Sequence, residues 1–338
     1  MMACSQSGLL EGRGLRGEIS VGRELRDYEA YGLRVRSQIP LTFPERLRSE
    51  AADVTLTMAA PEWFARATAD APANPDTDGW YQQFSCPDGS DLLRWPDLFE
   101  FLVAPDGRSV ACRMHEQAAL ESFQTYLFGH VMSYVLVKQG YEPLHATAVA
   151  IDGIAVALLG DCGSGKSTLA ASLVAAGHRI LTDDLLLLRD VNGVLCGLPG
   201  PARLKLFPQV AKVFLPDLAG SAPMNPLTDK LIVRVADGQR ESRPIPACRI
   251  FALDSSDLET EIAVTPVTPA DSLIEILRAT FNTRLVSPWR LRQQFLAAHR
   301  LATRIPVRRL TYPRRMDVLD QVHRAILADL QRAGERLS

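Results

Sequence analysis

No two cysteines in this 338-residue sequence are spaced C-x-x-C, although six are present: Cys4, Cys86, Cys112, Cys162, Cys196 and Cys248. That scatter excludes the usual spacing of a zinc site and offers no disulfide framework. It fits a reducing compartment, and the cytoplasm is the expected location. An excess of either charge is also missing, with 37 Lys and Arg against 39 Asp and Glu for a formal net charge of −2. Such a balance gives no electrostatic footprint for nucleic acid or an anionic membrane, and neither is an expected partner. No apolar run is long enough to span a bilayer, and no signal-type apolar core follows the first arginines. Repeats and low-complexity tracts are absent as well. What is left is an ordinary 47% hydrophobic chain, long enough for two or three domains and a sizeable core.

Residues 1–17, with Ser5, Gly8, Gly12 and Gly14, read as a frayed or disordered terminus. Residues 18–114 read as a small β-rich module. Alternation of apolar and polar residues marks strands over 31–37 and 54–58, and residues 98–103 pair with 109–112 through a turn at Asp106-Gly107. Residues 72–79 read as loop. A helical pattern runs from Glu116 to Lys138 with Leu120, Phe123, Leu127, Val131 and Tyr134 or Val135 on one face, ended by Gly140. An aromatic stripe could be a base-stacking platform, but at helical spacing the core reading is preferred. The helix, residues 115–140, connects to a third region, 141–338, that no linker divides. Within that region residues 216–230, rich in Gly, Pro and Asn, read as an exposed loop.

The third region is organised around Gly160-Asp161-Cys162-Gly163-Ser164-Gly165-Lys166-Ser167-Thr168, which fits G-x-x-x-x-G-K-[ST]. The short apolar run Ile154 to Leu159 before it reads as a buried strand. The stretch Ser167 to Ala176 after it reads as a helix closed by Gly177. Strand, glycine loop and helix in this order make a nucleotide phosphate site. Glycines let backbone N–H groups close round phosphate oxygens, and the helix N-terminus favours negative charge. In such a loop Lys166 reaches the β- and γ-phosphates and the Ser167 hydroxyl holds Mg²⁺, so ATP and Mg²⁺ are the expected cofactors.

Residues 178–184 read as a second strand ending in Asp183-Asp184, so the core is an α/β fold with a parallel or mixed sheet. Two carboxylates at the carboxyl edge of that strand can divide the work of phosphoryl transfer, one near the metal and one accepting a proton from an attacking hydroxyl. Adjacent strand residues face opposite ways, so the two are not expected to do the same job. His145 begins the strand 144–151 and stands where it can hydrogen-bond the carboxylate of Asp183. Arg203 and Lys205 alternate on one strand face; a phosphate contact and a solvated face fit them equally, as they do Lys230 and Arg234.

The stretches Leu144 to Val149, Gly160 to Thr168 and Gly177-His178-Arg179-Ile180-Leu181-Thr182-Asp183-Asp184 together resemble the catalytic domain of bacterial HPr serine kinase/phosphorylases. The resemblance implies a P-loop α/β domain similar to the nucleotide-binding core of phosphoenolpyruvate carboxykinase, with ATP and Mg²⁺ as cofactors and phosphorylation of a serine hydroxyl. It implies Asp183 as catalytic base, His145 as its partner, Lys166 on the phosphates, and Ser167 with Asp184 near the metal. It also implies a homo-oligomer. Two departures bear on the substrate: Thr168 stands where the HPr enzymes carry Glu, and Val194 to Gly200 stands where they carry E-I-R-G-L-G. The chain looks closer to HPr-kinase-like proteins of peptide natural-product clusters, including kinases of lasso precursor peptides. A peptide or protein serine is the expected acceptor, and phosphorylase activity is not expected. A small-molecule kinase and an ATP-binding regulator are the alternatives.

Overall fold

Period-two alternation between Arg26 and Met114 resolves into one eight-stranded sheet. The computed structural model of the chain describes residues 24–47, 51–69, 79–217, 221–256, 260–281 and 287–334. The terminus read over 1–17 and residues 72–78 of the expected loop lie outside these. The strands are β1 (Arg26–Ala30), β2 (Leu33–Ser37), β3 (Glu45–Arg46), β4 (Val54–Met58), β5 (Gln82–Ser85), β6 (Asp91–Trp95), β7 (Phe99–Val103) and β8 (Ser109–Met114), with helix α1 (Pro61–Thr68) after β4. Their order is β3-β1-β2-β4-β8-β7-β6-β5. The β7–β8 hairpin forms as the sequence predicts, with Val103 opposite Val110. The β1–β2 hairpin closes through Tyr31-Gly32, both at positive φ (54° and 69°), the conformation that matches a two-residue turn to strand twist.

The helical pattern is broken where the sequence predicts continuity. Helix α2 (Leu120–Tyr126) passes into a π-helical turn (Leu127–Val131) and then α3 (Met132–Lys138). Phe123, Phe128, Val131 and Val135 are buried in a core with Trp95, Phe99 and Phe101 of the first sheet, so the aromatic stripe is core. The same core takes in Leu185, Leu187 and Leu198 from the C-terminal half.

That half contains β9 (Leu144–His145), β10 (Thr147–Ile151), β11 (Ile154–Leu159), α4 (Lys166–Ala175), β12 (Arg179–Thr182), β13 (Leu185–Leu186), β14 (Leu188–Val191), β15 (Val194–Gly197) and β16 (Arg203–Leu206). It continues through α5 (Pro208–Phe214), β17 (Ala222–Asn225), β18 (Thr228–Arg234), β19 (Ile245–Ser256), β20 (Ala263–Pro266), α6 (Pro269–Arg278), α7 (Pro288–Arg304), β21 (Val307–Pro313) and α8 (Leu319–Gly334). The central sheet runs β12-β10-β11-β19-β15-β14, with β21 on β19 and β20 on β21. It is mixed. β11, β19 and β21 are parallel, while β10 is antiparallel to both β11 and β12 and lies between them.

Alternation along β10 and β11 feeds two cores. Val149, Ile151, Val156 and Leu158 pack with Leu169 and Leu173 of α4 and Val322 and Ile326 of α8. Ala148, Ala150, Ala155, Ala157 and Leu159 face Ile276 of α6 and Ala298 and Leu301 of α7. A strand covered on both faces reads as a continuous apolar run, which is why residues 154–159 show no polar position. Each fully buried Leu or Val here stabilises by about 1.5–3 kcal/mol.

The expected loop over 216–230 is corrected by the structure. β17 and β18 form a hairpin that extends β16 into a three-stranded sheet, and Pro223 is accommodated because β17 is the edge strand. The hairpin is clasped to α2: Ser122 Oγ donates to Met224 O (2.6 Å) and Asn225 Nδ2 donates to Tyr126 OH (2.7 Å). Among the described residues no helix is long and apolar enough to cross a membrane.

Candidate active site

The loop between β11 and α4 is shaped by glycines that no other residue replaces. Gly160 has φ +150°, and a Cβ there would lie 2.6 Å from Ser164 Oγ. Gly165 caps α4 at φ +92°, a left-handed position. Behind the loop, Ser255 Oγ donates to Ser164 O (2.8 Å). Lys166, only 7% exposed, donates from Nζ to the carbonyls of Gly160 (2.6 Å) and Asp161 (3.0 Å). Burial pushes its ammonium below the ordinary lysine value, opposed by Asp183 and Asp184. The lysine therefore lies along the loop, within reach of any phosphate the loop holds.

The two aspartates take different partners, and both reach Lys205 of β16, Asp183 through its backbone N–H and Asp184 through its ammonium. β12 stops at Thr182, and Asp184 adopts φ +78°, a left-handed conformation for a residue with a side chain. Asp183 is thereby left on the loop serine while Asp184 is carried to other partners. Asp183 accepts from Thr147 Oγ1 (2.6 Å), from Ser167 Oγ (3.1 and 3.3 Å to its two oxygens) and from the Lys205 backbone N–H (3.0 Å). Asp184 instead meets the Lys205 ammonium (2.6 Å) and His145 Nδ1 (3.5 Å). The expected His145–Asp183 pairing is thus made with Asp184. The physical reason is the break at Ala146: β9 leaves β10 to pair with β13, setting His145 opposite Leu185 and beside Asp184.

Charge in this corner is balanced by proximity. Burial pushes the Asp184 carboxyl up, but Lys205, His145 and Lys166 more than offset it and hold the group well below the usual carboxylate range. Burial lowers His145, with Asp184 opposing and both lysines reinforcing, so its imidazole is neutral near pH 7. Lys205 therefore belongs to the site. Arg203, two residues earlier, lies over the Phe128 ring (5.9 Å) and donates to Gln124 O (2.8 Å). Lys230 lies over Phe207, and Arg234 pairs with Glu121 (3.2 Å), so neither reaches the carboxylates.

Among the described residues no group of three or more His, Cys, Asp or Glu could hold a metal alone. Ser167 and Asp183 are adjacent oxygen donors, a set that suits a Mg²⁺ ion shared with substrate phosphates. A cleft of about 630 Å³ opens beside the loop, lined by His145, Asp161, Cys162, Asp254, Arg278 and Arg309 among others. Sequence reading missed three contributors: Thr147, the β16 backbone, and Gly129 in the π-turn, whose missing Cβ would lie 2.6 Å from Asp184 Oδ2. The available signal was an isolated Gly inside a helical pattern.

Known proteins are similar to part of this chain. HPr kinase/phosphorylase from Clostridium botulinum (strain Eklund 17B / Type B) is 36% identical over 78 residues, 23% of this chain and 26% of that protein. The protein of the same name from Clostridium beijerinckii is 41% identical over 54 residues, 16% of this chain and 18% of that protein. Over those stretches this chain is similar to the HPr kinase/phosphorylases. The match spans about a quarter of the length of these curated relatives. No family model matches the chain. Among solved structures, the HPr(Ser) kinase/phosphatase from Coxiella burnetii aligns with 57% of this chain and 93% of its own, at 13% identity and a TM-score of 0.33.

Proposed function

We propose that this protein is an ATP- and Mg²⁺-dependent kinase that transfers the γ-phosphoryl group to the serine hydroxyl of a peptide or protein. The observation that supports it most is the division of labour between adjacent aspartates, Asp183 on the loop serine and Asp184 on Lys205 and His145. In this reading Asp183 and Ser167 hold Mg²⁺, which neutralises charge on the β- and γ-phosphates when bound. Lys166 binds the same phosphates. The acceptor oxygen forms a bond to the γ-phosphorus as the bond to the β,γ-bridging oxygen breaks, and ADP leaves. The hydroxyl proton passes to Asp184 and on to neutral His145. A base as weak as Asp184 is adequate because phosphoryl transfer has a loose transition state in which the hydroxyl proton leaves late. The geometry favours Asp184 over Asp183 as the proton acceptor, since the hydroxyl of Ser167 already engages Asp183.

Radiolabelled ATP with Mg²⁺, offered to HPr, peptides ending in serine, free serine and no acceptor, tests the reading. Asp184→Asn is expected to lower transfer by about 10²–10⁴-fold with ATP affinity nearly unchanged, whereas Asp183→Asn weakens Mg²⁺-dependent ATP binding. Full transfer by Asp184→Asn, or label on free serine in preference to every peptide, would overturn it.

A further inference from the structure

We propose that Tyr31 of the N-terminal sheet is a positioning residue for Asp184, acting through the π-helical turn. The proposal rests on the reading of Asp184 as proton acceptor. Tyr31 occupies the β1–β2 turn, is 1% exposed and has φ 54°, a conformation that a residue with a bulky side chain adopts only when its surroundings hold it. Two hydrogen bonds do so. Its N–H donates to Pro199 O (3.1 Å), and its hydroxyl donates to Phe128 O (2.6 Å).

Phe128 lies in the π-turn, next to Gly129. Such turns are single irregularities in a helix and cluster at functional sites, because they shift one residue out of the regular register. Gly129 lies within the turn, and its bare Cα face is set against Asp184 Oδ2. On its other side the Tyr31 ring abuts Gly200, where a Cβ would lie 2.9 Å from Tyr31 Cε1. The Gly200 N–H donates to Leu181 O (2.9 Å) in β12, the strand that delivers both aspartates. Tyr31 is therefore wedged between the two elements that meet at Asp184, the helix that walls it and the strand that carries it. Arg203, neighbour of Lys205 on β16, closes the group by lying over the Phe128 ring.

The consequence is that the N-terminal sheet completes the active site from behind. It contributes no group to the reacting atoms, yet one of its turns fixes the wall against which the carboxylate rests. Lys205 and His145 approach the Oδ1 atom of Asp184, while Gly129 meets Oδ2, so attraction on one oxygen works against contact on the other.

Tyr31→Phe tests this, because the ring and its packing stay while one buried hydrogen bond is lost. Leaving the Phe128 carbonyl without its donor shifts the local equilibrium of the turn by on the order of tenfold. We expect amide hydrogen exchange at Gly129 to Met132 to speed up by about that factor. We expect kcat, counted per ATP-binding site so that unfolded protein does not enter, to fall by about the same factor with KM for ATP within about twofold. Gly129→Ala presses on Asp184 from the same wall and is expected to reproduce the kcat loss. Unchanged exchange in Tyr31→Phe, or full kcat in both variants, overturns the proposal. If the parent protein transfers phosphate to no acceptor while Tyr31→Phe still accelerates exchange, the brace stands and the kinase reading falls.

Discussion

Replacing Lys205 with Met is the most informative single perturbation of the site, because it removes one charge from a pair that is largely out of water. The ammonium lies 2.6 Å from Asp184 Oδ1, and the two side chains are 16% and 22% exposed. Breaking a buried pair by removing one partner costs about 3–5 kcal/mol, since the other charge is left uncompensated. Partial exposure, with Lys166 still nearby, reduces that to about 2–3 kcal/mol at neutral pH. The pH dependence follows from the direction of the shift. In the parent the folded pKa of Asp184 lies below its unfolded value of about 3.9, so the stability it contributes is full above about pH 4 and is lost only as acid approaches the folded pKa. Without Lys205 burial wins, the folded pKa rises, and Asp184 takes a proton at milder acidity. The deficit of Lys205→Met is therefore largest near pH 7 and shrinks on acidification. Urea denaturation of both proteins at about pH 7 and about pH 4.5, extrapolated linearly, measures it. Adding Asp184→Asn to Lys205→Met is expected to recover more than half of the loss, so the coupling between the two positions is at least about 1 kcal/mol. A deficit below about 0.5 kcal/mol, a deficit equal at both pH values, or strict additivity of the two substitutions would refute the reasoning.

Two further predictions concern the loop and the floor of the site. Cys162 is exposed at the loop while Cys86, Cys112 and Cys196 are buried, so a thiol reagent applied to native protein is expected to modify Cys162 well ahead of those three. MgATP should slow that modification by about tenfold or more at saturation, as binding protects in proportion to occupancy; equal rates with and without nucleotide would show that the loop does not hold it. Gly200→Ala places a methyl group against Thr182 Oγ1 and 2.9 Å from Tyr31 Cε1, an overpacking expected to cost about 1–3 kcal/mol in urea denaturation. A neutral result there would mean that the backbone at Gly200 relaxes freely.

Much of the C-terminal half is legible because its signals are local. The apolar run 154–159, the glycines of the loop and the closing Gly177 each specify their own conformation, and β11, α4 and the turn after it form where expected. The Asp152-Gly153 hairpin is equally local, with both residues at positive φ. What the sequence does not disclose is set by partners distant in the chain. The hairpin of β17 and β18 looks like loop because its prolines and asparagine are turn formers, and it becomes sheet only when β16 is beside it. Lys205 reads as an even choice between phosphate and solvent until β16 is laid next to the end of β12. Tyr31 reads as the first residue of a strand, since nothing local announces the turn or a contact with Phe128, 97 positions away.

The same distinction explains why the aspartates were legible as a pair but not as individuals. Alternation along a strand predicts opposite faces for Asp183 and Asp184, and that holds only while the strand continues. Here it ends one residue earlier, and Asp184 takes a left-handed conformation that costs on the order of 1–3 kcal/mol wherever the surroundings do not enforce it. The surroundings do enforce it: the Ala146 N–H donates to Asp184 O (3.2 Å), Lys205 and His145 engage Oδ1, and Gly129 meets Oδ2. The contacts come from the β9–β10 junction, from β16 and from the π-turn, and Gly129 owes its place to that turn, whose Phe128 carbonyl Tyr31 caps. A conformation this dependent on tertiary structure has no signature in two consecutive letters, and it is the feature that separates a carboxylate bonded to Ser167 from one turned toward His145.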